Sequence, residues 1–417
     1  MLASGSQDSF KPLKLPVGWT FGGLAAGLAL GLLLEGTRAI GPVLDVTETF
    51  GALWLRALQM TIIPLVAALL VTGIARMVET SRAGAMARRT LATFFAVLAS
   101  GTVLAAIAMP LLLSAFPIPG AAGQALSVDP GAVQDVPGIG EFVLSLVAPN
   151  IVTAAADNAM LPLVIFFALF AIATARLPAG QKELLASFFT ALGNAMLTII
   201  GWILWLAPAG VFALAIGVAA RSGSGVFAAL GHYILLVSSL GLVVLVAAYP
   251  LARLAGGRRL PDFARAVLPA QAVAFSTQSS LASLPAMLAS CRQLGIRETS
   301  ADFVLPLAVA IFRATSPAMN LAVAIYVAKL TGVPLTPVTI AAGAAVALAT
   351  TVGSVSLPGT ISFVTSIGPI ALAMGVPIGP LALLVAVEML PDIVRTVGNV
   401  TMNVAVTASV DHGRQNN

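Results

Sequence analysis

The chain has 417 residues, of which 59% are hydrophobic and only 9% are charged, whereas a soluble globular protein carries about 25% charged residues. Water cannot solvate so apolar a surface, so the composition excludes an ordinary soluble protein and predicts one embedded in lipid. The net charge of +5 comes from basic residues in short segments between apolar runs, which indicates membrane topology and not nucleic-acid binding.

Long apolar runs recur through the first part of the chain. A helix needs about 20 apolar residues to cross the hydrocarbon core. We predict six spans, at residues 17–36, 50–75, 90–115, 141–175, 186–219 and 227–252. The first run continues without a small-residue cleavage site, so we interpret it as a span and not as a cleaved signal peptide.

The pattern changes after Arg253, where two apolar segments are interrupted near their middles. Residues 264–290 and 338–375 each contain a stretch rich in serine and threonine, and each stretch carries Ser-Leu-Pro, at 283–285 and 356–358. Each half is too short to cross the membrane, and unpaired backbone cannot face lipid. The pattern predicts two re-entrant helical hairpins, followed by full spans at 300–328 and 378–409. Two kinked ordinary spans, in which serine and threonine bond their own backbone, are the alternative.

Lysine and arginine set the predicted orientation. The segments on one side contain most of these residues, namely Lys11, Lys14, Arg76, Arg82, Arg88, Arg89, Arg176, Lys182, Arg253, Arg258, Arg259, Arg265, Arg292, Arg297 and Arg414. The opposite segments contain only Arg38, Arg221 and Lys329. Both termini are therefore predicted to be cytoplasmic, and the two hairpins enter from opposite sides, an inverted arrangement typical of transporters.

The last apolar span contains charged residues, which are costly in a membrane and usually functional. Asp392, Arg395, Thr396, Asn399 and Asn403 are spaced to share one helical face. Arg395 can hold a carboxylate through two hydrogen bonds, and Asp392 can accept bonds from an ammonium group. Together they suit a zwitterion with an additional acidic group. A structural ion pair across one turn is the alternative.

Two further acidic residues lie within predicted spans. Glu388 is a candidate proton carrier, or else the partner of a neighbouring polar group. Asp157 either lines a pathway or interrupts a helix near an interface, which is the commoner role of such a residue.

Other functions find little support in the sequence. A single cysteine, Cys291, precludes an intrachain disulfide, and two distant histidines, His232 and His412, argue against a Cys/His metal site. Hydrolase, zinc-protease and phosphate-loop motifs are absent, so we predict that the chain is not an enzyme and needs no cofactor. A passive channel for small anions is the alternative to a transporter, but a pore needs polar rings along several helices. The polar residues here converge on one locus.

The chain resembles the glutamate/dicarboxylate transporters, the dicarboxylate/amino acid:cation symporters, over nearly its whole length. The likeness is carried by LQMTIIPL at 58–65, APAGVFA at 207–213, SSLASLP at 279–285, Leu357-Pro358-Gly359, and Asp392-x-x-Arg395-Thr396-x-x-Asn399. This resemblance implies an all-α membrane protein of eight transmembrane helices plus two re-entrant helical hairpins in inverted repeats. It further implies a homotrimer in the lipid of a bacterial inner membrane, with a six-span part that includes the trimerisation scaffold (1–252) and a substrate-binding core (253–417).

The resemblance also implies a symporter of glutamate, aspartate or a dicarboxylate, and it assigns roles to single residues. Asp392 would hold the substrate amino group and Arg395 the side-chain carboxylate. The remaining implied substrate ligands are Thr396, Asn399, Ser279 and Ser280, with Pro358 and Gly359 at the second hairpin tip. An aspartate at position 392 is more similar to the amino acid carriers than to the pure dicarboxylate carriers.

The sequence departs from the family at a motif, Asn-Met-Asp-Gly-Thr, that supplies sodium ligands. The corresponding residues here are Phe312-Arg313-Ala314-Thr315-Ser316, and a later aspartate ligand is replaced by Asn403. A hard cation prefers several oxygen ligands, so this departure argues against sodium (Na+) and favours coupling to protons (H+) or exchange. The candidate coupling or cation-site residues are Arg313, Thr315, Ser316, Asn403 and Glu388.

Arg313 has three possible roles. It is a tethered cation in the place of sodium, a second carboxylate ligand in the substrate cavity, or a structural partner of Glu388 or Asp302.

Overall fold

The computed structural model describes residues 17–34, 36–81, 84–119, 144, 146–222, 225–353 and 359–415, and all the elements in these ranges are helices. They are α1 (Val17–Leu34), α2 (Ile40–Gln59), α3 (Ile62–Ser81), α4 (Ala85–Ala115), α5 (Ile151–Ala156), α6 (Met160–Thr174), α7 (Ala179–Trp205), α8 (Ala207–Ser222), α9 (Gly225–Leu254), α10 (Leu260–Thr277), α11 (Leu284–Gln293), α12 (Glu298–Ile311), α13 (Ser316–Leu330), α14 (Pro337–Gly353), α15 (Gly359–Ala373), α16 (Gly379–Leu384) and α17 (Met389–Gln415).

Several predicted single spans are in fact two helices, which corrects the boundaries read from the sequence. The divided spans are 50–75 (α2 and α3), 141–175 (α5 and α6), 186–219 (α7 and α8), 300–328 (α12 and α13) and 378–409 (α16 and α17). Each second helix has a proline among its first three residues, namely Pro64, Pro162, Pro208, Pro317 and Pro391. Proline lacks an N–H and is favoured in the first turn of a helix, where that N–H needs no partner. A hydropathy profile does not show such breaks, because the sequence stays apolar across them.

Asp157 ends α5, and Asn158 after it has a left-handed backbone with φ 54°. The prediction that Asp157 interrupts a helix is therefore confirmed.

The interruption predicted within residues 264–290 is confirmed. It runs from Gln278, which has a left-handed backbone, to Ser283. The Ser283 N–H and the Ser283 hydroxyl both donate to the Ser279 carbonyl, at 3.1 and 2.9 Å. The second predicted segment also contains two helices, α14 and α15, but its tip, including Pro358, lies outside the described residues. In each segment the two helices contact each other. Re-entry into the membrane stays a prediction.

Helix α13 lies at the centre of the packing, because every side chain in it except Lys329 is buried. It contacts α4, α9, α14 and α15, while α17 packs on α9, α10 and α11. Elsewhere α8 packs on α1 and α2, and α3 packs on α6 and α7. The contact between α1 and α8 is a close backbone approach, since a Cβ on Gly27 would lie 2.5 Å from the Phe212 carbonyl oxygen.

The outer surface is apolar, as a lipid environment requires. Among the described residues, five helical stretches have the length and composition to cross a membrane: Ile40–Ala75, Ala85–Ala115, Ala179–Trp205, Phe227–Leu254 and Glu298–Leu330. Large side chains such as Phe95, Trp202 and Leu242 point outward from three of them. The fold is that of an all-α, multi-pass membrane protein, as predicted.

Candidate functional site

The site is centred on the guanidinium of Arg395, which projects from the second turn of α17 and is only 5% exposed. Its Nη2 donates to Glu388 Oε1 at 2.6 Å, and its Nη1 donates to Asn320 Oδ1 at 2.5 Å. Its Nε lies 3.3 Å from Asp392 Oδ1, one turn earlier in the same helix. The first two contacts are charge-assisted hydrogen bonds, which are the strong ones, and the third is an ion pair.

Glu388 does not lie within a continuous last helix, which corrects the predicted span. It ends the turn at residues 385–388 that joins α16 to α17. Its Oε2 accepts a hydrogen bond of 3.2 Å from the hydroxyl of Tyr233 in α9, and both residues are buried. The carboxylate is therefore held between a cation on one side and a neutral phenol on the other.

The unwound segment between α12 and α13 is tied to α17 by Asn399. The Asn399 Oδ1 accepts hydrogen bonds from both the N–H and the hydroxyl of Thr315, each at 2.9 Å. The Thr315 hydroxyl also lies 3.1 Å from the Arg395 carbonyl oxygen. The bond from the Thr315 N–H satisfies a backbone group at the buried start of α13, where the first N–H groups of a helix have no partner within it.

Arg313 lies in this unwound segment and is partly exposed. It interacts electrostatically with Asp392 and Arg395. The charged side chains that interact at the site are thus two carboxylates, Glu388 and Asp392, and two guanidiniums, Arg313 and Arg395. Their formal charges cancel.

The segment at residues 312–316, where the resemblance implies sodium ligands, begins with a buried phenyl ring. Phe312 is 1% exposed and stacks on Phe94 of α4, and Ala314 is fully buried. Neither position offers a side-chain oxygen, and the stacked rings fill the space between α4 and the unwound segment.

Two other coupling candidates, Ser316 and Asn403, are also buried. Within the described part of the chain, the Ser316 hydroxyl and Asn403 Oδ1 are buried without a hydrogen-bond partner. The Asn403 Nδ2 lies 3.8 Å from the Met287 sulfur of α11. This contact, with a hydrogen bond of 2.9 Å from Gln271 of α10 to Thr401, holds α10 and α11 against α17.

Four of the eight predicted substrate ligands lie on α17. Asp392, Thr396 and Asn399 are buried on that helix together with Arg395. Ser279 and Ser280 lie in the connection between α10 and α11, and the Ser279 hydroxyl accepts from the Ala282 N–H at 3.2 Å. Gly359 begins α15, and Pro358 lies outside the described residues.

Sequence reasoning missed Asn320 and Tyr233, which contact Arg395 and Glu388 from α13 and α9. Asn320 is the only amide side chain in α13. After the first residue of that helix, the other side chains are apolar except for those of Tyr326 and Lys329. That isolated polar residue was a usable signal. Nothing in the sequence of α9 distinguishes Tyr233 from an ordinary core aromatic residue.

Buried charges beside interrupted apolar helices are typical of multi-pass membrane transporters. The chain belongs to the sodium:dicarboxylate symporter family, which it matches over residues 17–413. It is therefore a transporter of small molecules and not an enzyme, and the family implies a coupling cation.

Relatives with established names match most of the chain. The proton/sodium-glutamate symport protein of Bacillus subtilis is 26% identical over 92% of this chain and 89% of its own length. The proton/glutamate-aspartate symporter of Escherichia coli is 27% identical over 89% of this chain and 86% of its own. The neutral amino acid transporter B(0) of Oryctolagus cuniculus is 30% identical over 90% of this chain and 76% of its own.

Proposed function

We propose that the protein is a secondary active transporter that carries glutamate, aspartate or a related dicarboxylate across a bacterial inner membrane by alternating access, with both termini in the cytoplasm. The observation that carries this proposal is the buried Arg395 guanidinium with Asp392 beside it. A buried arginine in a membrane protein is costly unless it serves a function. Two of the relatives are named for glutamate or for glutamate and aspartate.

The substrate lies along the polar face of α17 in this proposal. Arg395 holds the side-chain carboxylate and Asp392 holds the ammonium group. The α-carboxylate is held by Thr396, by the amide nitrogen of Asn399 and by the first hairpin tip at Ser279 and Ser280, with Pro358 and Gly359 closing the site from the second tip. The Asn399 oxygen is already used by Thr315, so only its nitrogen is available to the substrate.

Alternating access requires one part of the protein to move against another. In our proposal α1–α3 and α5–α8 belong to the scaffold, which also forms a homotrimer, and α4 and α9–α17 form the moving unit. Support comes from the packing, since α8 contacts both α1 and α2, while α4, α9, α13 and α17 form a second connected group.

Coupling in this proposal uses protons or exchange and not sodium. Phe312 and Ala314 are buried among apolar groups where oxygen ligands would be needed. Arg313 acts as the tethered cation, a role supported by its electrostatic interaction with Asp392. The site charges then balance without a bound metal ion.

The test is counterflow in proteoliposomes that contain the purified protein and a high internal concentration of unlabelled L-aspartate. We expect labelled aspartate to accumulate transiently, with glutamate and four-carbon dicarboxylates competing better than neutral amino acids. Replacing sodium by choline is expected to leave the rate unchanged. A passive pore would show no trans-stimulation.

The arginine assignment is tested by Arg395→Cys, which removes the carboxylate ligand. Its matched control is Arg292→Cys, because Arg292 lies in an exposed ion pair with Glu298, away from the site. We expect aspartate affinity to fall in the first variant only. Unchanged affinity in Arg395→Cys would show that the assignment is wrong.

A further inference from the structure

Three arginines from three different parts of the chain meet the last residues of α17. Arg258, in the connection between α9 and α10, lies 3.4 Å from Asp411 Oδ2. Arg297, which immediately precedes α12, donates from Nε to Asp411 Oδ1 at 2.8 Å. Arg89 of α4 donates to the Gly413 carbonyl oxygen. The end of α17 is therefore the point at which these three arginines converge.

The arginines at this point keep positive charge and hydrogen-bond donors that the protein does not use. Asp411 is fully buried and offers one negative charge to both Arg258 and Arg297. Arg258 Nε is buried without a hydrogen-bond partner within the described part of the chain. Arg297 bonds through Nε and Nη2, so its Nη1 donates to none of the described residues. An anion could accept from these donors and balance the charge.

More arginines stand beside these and are exposed. Arg88 precedes Arg89 in α4, Arg253 lies in the last turn of α9, and Arg259 follows Arg258. None of Arg88, Arg253 and Arg259 forms an ion pair with a residue that the structure describes. We call the six residues the arginine collar: Arg88, Arg89, Arg253, Arg258, Arg259 and Arg297.

Acidic residues do not neutralise the collar. Glu298 is paired with Arg292, and Asp411 is shared between two arginines. Asp262 and Asp302 are exposed, and neither forms an ion pair within the described ranges. The collar therefore presents a net positive surface to its surroundings.

The collar lies where membrane-crossing helices end. The stretches Ala85–Ala115 and Phe227–Leu254 both have the length and composition to cross a membrane. Exposed Phe95 is seven residues from Arg88, and exposed Val246 is seven residues from Arg253. Seven residues are two helical turns, so each apolar side chain lies about 10 Å from its arginine on the same helical face. The lipid-facing surface thus changes from apolar to basic at the level of the collar.

Apolar side chains also alternate with the arginines themselves. Leu254 follows Arg253 and is 84% exposed, and Leu260 follows Arg259 and is 44% exposed. A soluble phosphate would gain nothing from these leucines, whereas a phospholipid can place its acyl chains on them and its phosphate on the arginines. Basic clusters at the ends of membrane helices attract anionic lipids for this reason. The mixture of leucine and arginine therefore favours a lipid as the anion.

We propose that the arginine collar is a binding site for the headgroup phosphate of an anionic phospholipid, in the leaflet at the end of the protein where α17 ends. The phosphate oxygens accept from guanidinium N–H groups, which match phosphate geometry in pairs. The acyl chains lie along the outward side chains of α4 and α9, such as Phe95 and Val246. This inference does not depend on which solute the protein carries.

The test is native mass spectrometry of the purified protein in a neutral detergent, with equal amounts of dioleoylphosphatidylglycerol and dioleoylphosphatidylcholine. These two lipids have the same acyl chains and differ in net charge. We expect the wild type to retain phosphatidylglycerol in preference to phosphatidylcholine. The preference is expected to weaken as the ammonium acetate concentration rises, because salt screens exposed charges.

The double variant Arg253→Gln/Arg259→Gln is expected to lose most of this preference. Each arginine removed near a membrane surface weakens binding of an anionic lipid by about fivefold, so the two changes give about 25-fold. Arg38→Gln/Arg176→Gln is the matched control, because it removes the same charge from two exposed arginines outside the collar. The control is expected to retain phosphatidylglycerol as the wild type does.

Equal retention of the two lipids by the wild type overturns the inference, whatever the folding of the variants. Wild-type retention of phosphatidylglycerol by Arg253→Gln/Arg259→Gln also overturns it, because the lipid then binds elsewhere. Displacement of the lipid by inorganic phosphate, but not by chloride at the same ionic strength, would assign the collar to a soluble anion instead. The measurement needs no transported solute, so its failure leaves the proposed function standing.

Discussion

The ring of Phe312 lies parallel to the ring of Phe94, with 4.2 Å between the ring centroids and 5° between the ring planes. Phe312 adopts an extended backbone at the end of α12, so the stack joins the unwound segment to α4. An apolar contact thereby fixes the part of the chain from which Arg313 and Thr315 project.

Removing this contact is expected to destabilise the protein. Phe312→Ala deletes a buried ring and leaves a cavity, which costs about 3–5 kcal/mol in a packed core. Phe95→Ala is the control, because Phe95 is the next residue after Phe94 and is exposed. Thermal unfolding in one detergent measures both, and equal midpoints for the two variants would contradict the stack.

Asn320→Leu is expected to weaken binding of acidic substrates without unfolding the protein. The change leaves Arg395 Nη1 without its partner in a buried site, and an unsatisfied buried donor costs about 1–3 kcal/mol. We expect aspartate affinity to fall by about tenfold, measured by calorimetry. Thr331→Val is the control, because the Thr331 hydroxyl bonds only within its own helical turn. Wild-type affinity in Asn320→Leu would count against a positioning role.

Asp411 is expected to be the most stability-sensitive acidic residue at the end of α17. It is fully buried and accepts from Arg297 Nε at 2.8 Å and from the Ser300 hydroxyl at 2.8 Å, with Arg258 at 3.4 Å. Asp411→Asn removes the negative charge that these donors contact, and breaking a buried ion pair costs about 3–5 kcal/mol of folding free energy. We expect Asp411→Asn to unfold at a lower temperature than the wild type.

The control for Asp411→Asn is Glu298→Gln, which breaks an exposed pair worth at most about 1 kcal/mol. Both variants are compared by thermal unfolding at low and high salt. An Asp411→Asn variant as stable as its control would show that the cluster contributes little.

Gly27→Val is expected to separate α1 from α8. A Cβ there would lie 2.5 Å from the Phe212 carbonyl oxygen and 2.8 Å from the Ala215 Cβ, and neither neighbour can move freely. Overpacking of this kind costs about 1–3 kcal/mol. Gly22→Val is the control, since a Cβ at Gly22 meets no atom within 4 Å. The unfolding temperature should fall in the first variant and not in the second.

Much of the site was predictable because its residues are charged or polar in an apolar chain. The spacing of Asp392, Arg395 and Asn399 predicted that they share one helical face, and all three lie buried on α17. The ion pair of Glu388 with Arg395 was not predicted, because the two residues are seven positions apart and meet through a turn that hydropathy does not show. Asn320 reaches the same guanidinium from a different helix, which spacing within one segment cannot reveal.

The sequence by itself determined that the protein is helical and lies in a membrane, that two segments near its C-terminus are interrupted, and which family it resembles. Those properties depend on hydropathy, on the positions of proline and serine, and on local motifs, all of which act over a few residues. The tertiary structure decided that Arg395 is held by Glu388, Asn320 and Asp392, that Phe94 packs on Phe312, and that the site charges sum to zero. These relationships depend on how helices distant in sequence pack, because a buried charge selects its partners by distance in space.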